Sequence, residues 1–170
     1  FNRNSKTIWR QFVSSGDIQY KEDFNWKPSP KDWQPITNAG NWYEHGGAYK
    51  YLSLNDSIKS AISIIETHGC SDWENYAVAA DLGSNNPQGY IGVAARYIDD
   101  KNYYAARING NSLDVIAVFD GVEKSLANLS LDKPYIPKQM WRILFELDND
   151  RLKVRLYDAA GIIAGQIETK

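Results

Sequence analysis

Asp81, Arg96, Tyr103 and Arg107 stand on three successive runs that read as strands, Tyr76–Leu82, Tyr90–Ile98 and Tyr103–Ile108. Side chains alternate between the two faces of a strand. Alternation sets Ala77, Ala79 and Asp81 on one side of the first run, Gly92, Ala94 and Arg96 on one side of the second, and Tyr103, Ala105 and Arg107 on one side of the third. Small residues would lower the floor of a curved sheet there, with a carboxylate, two guanidinium groups and a phenol ring standing around it. A planar ring covers the apolar C–H side of a sugar, and polar forks satisfy its hydroxyls. The pattern therefore predicts a sugar-binding groove on the concave sheet, with Trp42 and Tyr43 lining one wall from the N-terminal loops. The same aspartate and arginines also admit a plainer reading, a salt-bridged ladder across neighbouring strands.

The elements that must position these residues follow from hydrophobic period. From Trp73 onward, alternating or β-branched and aromatic runs are cut by Gly, Asn and Asp, which is the pattern of a strand meander. Further strands are predicted over Leu113–Phe119, Glu123–Ala127, Trp141–Leu147 and Leu152–Tyr157, with turns at Asp120-Gly121 and Asp148-Asn149-Asp150. Trp141, Ile143, Phe145 and Leu147 should face Leu152, Val154 and Leu156, leaving Arg142, Glu146, Arg151, Lys153 and Arg155 outward. Trp73, Tyr76, Tyr97 and Tyr104 join the predicted core. Asp56–Glu66 has Ile58, Ile62 and Ile65 at helical spacing, but its Ser and Ile content favours a strand over Ser60–Glu66. In residues 1–47, tryptophans are interleaved with prolines and glycines at no regular period, so loops and edge strands are expected. The whole, 1–170, reads as one all-β domain, an antiparallel β-sandwich.

Composition narrows the partners. The net charge is −2, so nothing in the total favours a phosphate backbone, and no apolar run is long enough to cross a membrane as a helix. Nucleic acid and membrane insertion are therefore not expected. Aromatics make up 13% of the chain, with 6 Trp and 11 Tyr, whereas there are only 2 His and a single Cys, Cys70. A disulfide framework or a Cys/His zinc cluster cannot be assembled from so few ligands. Trp26, Trp33, Trp42, Tyr43 and Tyr103 remain as a surplus of rings, and that surplus supports sugar binding.

Three strings carry a family resemblance: Trp73-Glu74-Asn75-Tyr76-Ala77-Val78-Ala79-Ala80-Asp81, Gly89-Tyr90-Ile91-Gly92-Val93-Ala94-Ala95-Arg96-Tyr97 and Asn102-Tyr103-Tyr104-Ala105-Ala106-Arg107-Ile108. With Asp23-Phe24, Trp33, Gly40-Asn41-Trp42, Asp120-Gly121 and Trp141–Leu147, this order resembles concanavalin A-like, laminin G-like jelly rolls. Those occur as fructan-binding modules of levanase-type enzymes and as 3-keto-disaccharide hydrolase-like domains. The resemblance spans about Asp23 to Tyr157 and implies a jelly roll, an extracellular setting and a polysaccharide or oligosaccharide partner, fructans foremost. It departs at the end, where family members add a further strand. Either the last segment, Gly161–Thr169, closes the sandwich alone, or another chain or domain completes the sheet edge, as expected of a fragment or a processed product.

Catalysis finds less support. Laminarinase-like enzymes of this jelly roll carry paired carboxylates two residues apart on one strand, flanking the scissile bond. The nearest string, Glu146-Leu147-Asp148-Asn149-Asp150-Arg151, ends in Arg and has the composition of a turn. The enzymatic alternative, a hydrolase or lyase, would need a site from Asp81, Glu44, His45 and Arg96. A third reading is a laminin G-like interaction or structural domain. No organic cofactor is expected; a structural calcium ion is open, with Asp23, Asp99, Asp100 and the Asp148-Asn149-Asp150 turn supplying oxygen ligands.

Overall fold

The computed structural model describes residues 33–36, 40–44, 48–53, 61–65, 73–85 and 89–170, and the chain separates into two compact units, Phe1–Thr67 and His68–Lys170. In the first unit, β1 (Trp33–Pro35), β2 (Gly40–Glu44), β3 (Tyr49–Ser53) and β4 (Ser63–Ile65) form two antiparallel pairs, β1 with β4 and β2 with β3. Ser63–Ile65 is extended, as its β-branched content requires; Asp56, Ile58 and Cys70 lie outside the described residues.

The second unit is an antiparallel β-sandwich. Its strands are β5 (Tyr76–Leu82), β6 (Ile91–Asp99), β7 (Asn102–Asn109), β8 (Ser112–Phe119), β9 (Val122–Ser130), β10 (Trp141–Asp148), β11 (Arg151–Tyr157) and β12 (Ile163–Thr169). One sheet has the order β12-β11-β10-β5 and the other β6-β7-β8-β9. The chain crosses between sheets after β5 and again after β9 and does not pair β5 with β6.

The alternation read from the sequence sets which side of each strand is inside. Ile143, Phe145 and Leu147 on β10 lie opposite Leu156, Val154 and Leu152 on β11, and opposite Ala80, Val78 and Tyr76 on β5. Val93, Ala95, Ala106, Ile108, Leu113 and Val115 fill the space from the other sheet. Each fully buried Leu, Ile or Phe in such a layer stabilises by roughly 1.5–3 kcal/mol. Gly165 is buried on β12, where an added Cβ would come within 2.8 Å of a Leu131 methyl and 3.1 Å of a Leu129 methyl. A side chain there would have to displace the Leu131 methyl.

The β8–β9 hairpin closes through Asp120 and Gly121, both at positive φ (51° and 77°), the signature of a two-residue type I′ turn. Its Gly121 N–H donates to the Lys101 carbonyl in the β6–β7 turn at 3.0 Å, tying two hairpin ends together.

The core assignment is testable. Phe145→Ala should lower unfolding free energy by roughly 3–5 kcal/mol in urea titration, the cost of a large cavity. Phe119→Ala, at a ring 51% exposed and in edge contact with Tyr104, should cost no more than about 1.5 kcal/mol. Equal losses would show that the layer between the sheets is not where the stability resides.

Candidate functional site

The outward face of the β6-β7-β8-β9 sheet holds a connected polar and aromatic cluster. Directly opposed residues on neighbouring strands share a face. One row runs Gly92, Arg107, Asp114, Asn128; the next runs Ala94, Ala105, Ile116, Ser125; a third runs Tyr103, Val118, Glu123. Arg107 reaches from the first row to the third. Its Nη1 and Nη2 donate to the two Glu123 carboxylate oxygens at 2.9 and 2.6 Å, a bidentate fork. That bridge spans the middle row, where Ile116 is only 2% exposed although it points away from the core.

Tyr90 completes the cluster. Its ring lies 3.8 Å from the Arg107 guanidinium carbon, with the residue 54% exposed. On the other side, Arg107 Nε is 3.8 Å from Asp114 Oδ2, beyond hydrogen-bond reach. Asp114 Oδ1 accepts instead from Asn128 Nδ2, and from the Ser112 hydroxyl at 3.4 Å. Gly92 permits the close approach of β6 to this row: a Cβ there would strike the Ala106 carbonyl and come within 2.7–2.8 Å of Arg107 Cα and Cβ.

The charges are mutually fixed. Burial alone would weaken the Arg107 charge, but the hydrogen bond and negative charge of Glu123 outweigh it and hold the guanidinium above its ordinary value. The hydrogen bond from Arg107 holds the Glu123 carboxyl below its ordinary 4.5. Burial pushes the Tyr103 phenol up, with Glu123 adding to it, and burial with Asp100 and Asp99 does the same for Tyr97.

The structure divides the group expected from sequence. Tyr103 and Arg107 do share the outward face. Asp81 does not join them, because β5 belongs to the other sheet; its carboxylate receives Arg142 Nε at 2.6 Å and Nη2 at 2.7 Å from the adjacent strand. Arg96 does not join them either. It sits at a β-bulge with φ 47°, and its Nε and Nη2 donate to the Glu74 carbonyl at 3.1 and 2.8 Å. The salt-bridged ladder is thus right in kind for Asp81, with Arg142 in place of the expected arginines.

Trp42 and Tyr43 are consecutive residues of β2 in the first unit and so point to opposite faces, which one wall cannot use together. Trp42 packs on Tyr51 across the β2–β3 pair with ring centroids 5.1 Å apart, and Tyr43 is exposed. Asp23 and His45 lie outside the described residues. Asp99 Oδ1 accepts from the Lys101 N–H and Asn102 Nδ2, closing the β6–β7 turn, and among the described residues no three His, Cys, Asp or Glu converge as a metal would need.

Sequence reasoning missed Tyr90, Glu123, Asp114 and Asn128, and it assigned Tyr97 to the core. Tyr97 instead stacks beside Tyr103 on the outward face, ring centroids 5.9 Å apart and 32° between planes. A signal for Tyr90 was present: a glycine inside a strand pattern, Gly92, marks close backbone approach and hence a place where a neighbouring long side chain can lie flat.

No family model matches the chain, and no curated protein does. Among solved structures the chain is similar to the carbohydrate-binding module CBM66 from Bacillus subtilis, with a TM-score of 0.63 and 16% identity over 81% of this chain and 78% of that one. At that identity the likeness speaks for the fold, a β-sandwich shared with a carbohydrate-binding module.

The Arg107–Glu123 fork has a pH signature. Because the Glu123 carboxyl is depressed in the folded protein, its contribution to stability is present above 4.5 and is lost as pH falls through the lower folded value. Glu123→Gln should therefore melt below wild type at neutral pH, by no more than about 1 kcal/mol for so exposed a partner. The gap should close progressively as pH falls below 4.5 and through the lower folded value. A thermal melt series with a constant separation throughout would remove the ion pair as its cause.

Proposed function

We propose that this chain is a carbohydrate-binding module that takes a neutral glycan on the outward face of the β6-β7-β8-β9 sheet, without catalysis. The observation that carries the reading is the Tyr90–Arg107–Glu123 array: a half-exposed ring, a guanidinium laid against it, and a carboxylate locked to that guanidinium in a planar fork. Such a fork is set before any ligand arrives, so little side-chain entropy remains to be lost on binding. Sugar hydroxyls both donate and accept, and paired Arg and Glu present both kinds of partner within one plane.

Charge balance selects the class of sugar. One guanidinium faces two carboxylates, Glu123 and Asp114, so the cluster offers no surplus positive charge to a uronate or a sulfate. The same balance works against hydrolysis. A catalytic acid needs a carboxyl whose proton affinity is raised, and Glu123 is shifted the other way by Arg107. The family resemblance carries the finer expectations of a jelly roll, a fructan-like ligand and a secreted, glycan-active parent protein, and the β-sandwich shared with a bacterial carbohydrate-binding module is consistent with them.

A glycan array of neutral and acidic polysaccharides, run with and without calcium, tests this directly. Wild type should be retained by at least one neutral glycan and by no uronate in preference to it. Arg107→Ala should weaken retention roughly tenfold or more, the scale of lost hydrogen bonds to a charged group. Tyr90→Ala, at an exposed ring whose loss leaves the core untouched, should weaken it roughly two- to tenfold. Both variants, folded by circular dichroism and binding as wild type, would overturn the site, and sugar release by the unaltered chain would overturn the non-catalytic reading.

A further inference from the structure

The bulge on β6 is placed where it changes the ligand face. The register passes from Ala95 opposite Tyr104 to Asp99 opposite Asn102, so Arg96, Tyr97 and Ile98 together oppose the single residue Tyr103. Regular alternation from the core-facing Ala95 would turn Arg96 outward and Tyr97 inward. The positive φ of Arg96 reverses this: its guanidinium turns to the Glu74 carbonyl, and Tyr97 emerges beside Tyr103. Non-glycine residues rarely hold such a φ unless their surroundings over-determine it, and sites of this kind cluster where a ligand is bound. Here the surroundings do over-determine it. The Arg96 N–H donates to the Tyr76 hydroxyl at 2.5 Å, in addition to the two bonds from its side chain to Glu74.

The product is a second aromatic surface on the same face as Arg107. Tyr90, just before β6, and Tyr97, near the end of it, start from backbone positions about 20 Å apart along the strand, longer than a single sugar ring covers, with the Arg107–Glu123 fork alongside. Between them the floor is low, with Ala105 on β7 opposite Ala94 on β6. Bulges characteristically re-aim a side chain in this way next to binding sites.

Resting on the carbohydrate-binding reading above, we infer that Tyr97 and Tyr103 form a second sugar-stacking subsite. The ligand is then an oligosaccharide laid along β7, with one unit at Tyr90–Arg107 and another at Tyr97–Tyr103, and not a lone terminal sugar. The contribution of the second subsite is realised only by a ligand long enough to span both.

Titration calorimetry of the full chain with fructose and glucose, and with fructo-, cello-, xylo- and laminari-oligosaccharides from di- to hexasaccharide, separates the possibilities. In the series that binds, affinity should rise with length until both subsites are filled and then level off. Tyr97→Ala should reduce hexasaccharide affinity roughly two- to tenfold and leave the shortest ligand unaffected, and Tyr103→Ala, in the row of Glu123, should reduce hexasaccharide affinity at least as much. Affinity independent of length, or a rise that persists in both folded variants, would overturn the second subsite while leaving the binding function intact. Binding of none of these sugars would overturn the function and this inference with it.

Discussion

Strand β7 ties the core to the outward polar face through its period of two. Tyr104, Ala106 and Ile108 enter the packed layer, so Tyr103, Ala105 and Arg107 must leave it. A slip of one residue would carry Arg107 into the apolar layer, where an unpaired guanidinium costs several kcal/mol, and would expose Ile108 to water. Register is therefore held from both sides. The neighbours inherit it: once Arg107 is fixed, Asp114 and Asn128 are fixed beside it, and Glu123 is set within reach of its fork. The outward polar and aromatic surface is in this sense a consequence of core packing, and its chemistry could not be moved by one position without rebuilding the fold.

Magnitudes separate what stabilises this sandwich from what shapes it. Arg142 with Asp81 and Arg107 with Glu123 are both bidentate pairs across strands, but the carboxylate side chain is 38% exposed in the first and 50% in the second. With the arginine largely buried and the carboxylate open to water, each pair contributes roughly 1 kcal/mol. A single core residue such as Phe145 outweighs both together. The pairs matter for geometry: Arg142 with Asp81 pins β5 to β10, and Arg107 with Glu123 holds two long side chains in one plane above Ile116. The second also has an exposed ring against it, Tyr90, which gives it the makings of a binding site.

Much of this was legible in the sequence because alternation is a local property. Strand existence, the inward rows of β10 and β11 and the turn at Asp120-Gly121 follow from residues within a few positions of each other. Pairing between strands is not local. Asp81, Arg96 and Arg107 look equivalent along three successive strands, yet the chain changes sheet between Leu82 and Ile91, so Asp81 meets Arg142 instead. Glu123 escaped notice for the converse reason: only the fold brings it beside a residue 16 positions earlier. The bulge left no local mark, since its positive φ falls on an arginine where glycine or asparagine would have announced it. Tyr97 was accordingly assigned inward, as regular alternation demands.

That bulge also shows how the two sheets act on one another without a shared ligand face. Arg96 belongs to β6, but the groups that hold it come from the segment leading into β5: the Glu74 carbonyl and the hydroxyl of Tyr76, whose ring packs against the core. The orientation of Tyr97 on the outward surface is thus set from the far side of the sandwich, through hydrogen bonds in which two of the three acceptor contacts go to one backbone oxygen. A backbone acceptor cannot be withdrawn by a change of rotamer. The aromatic surface beside Tyr103 is consequently fixed by main-chain geometry that folding itself establishes, which is the condition under which a surface ring can bind a flexible chain without first losing its own freedom.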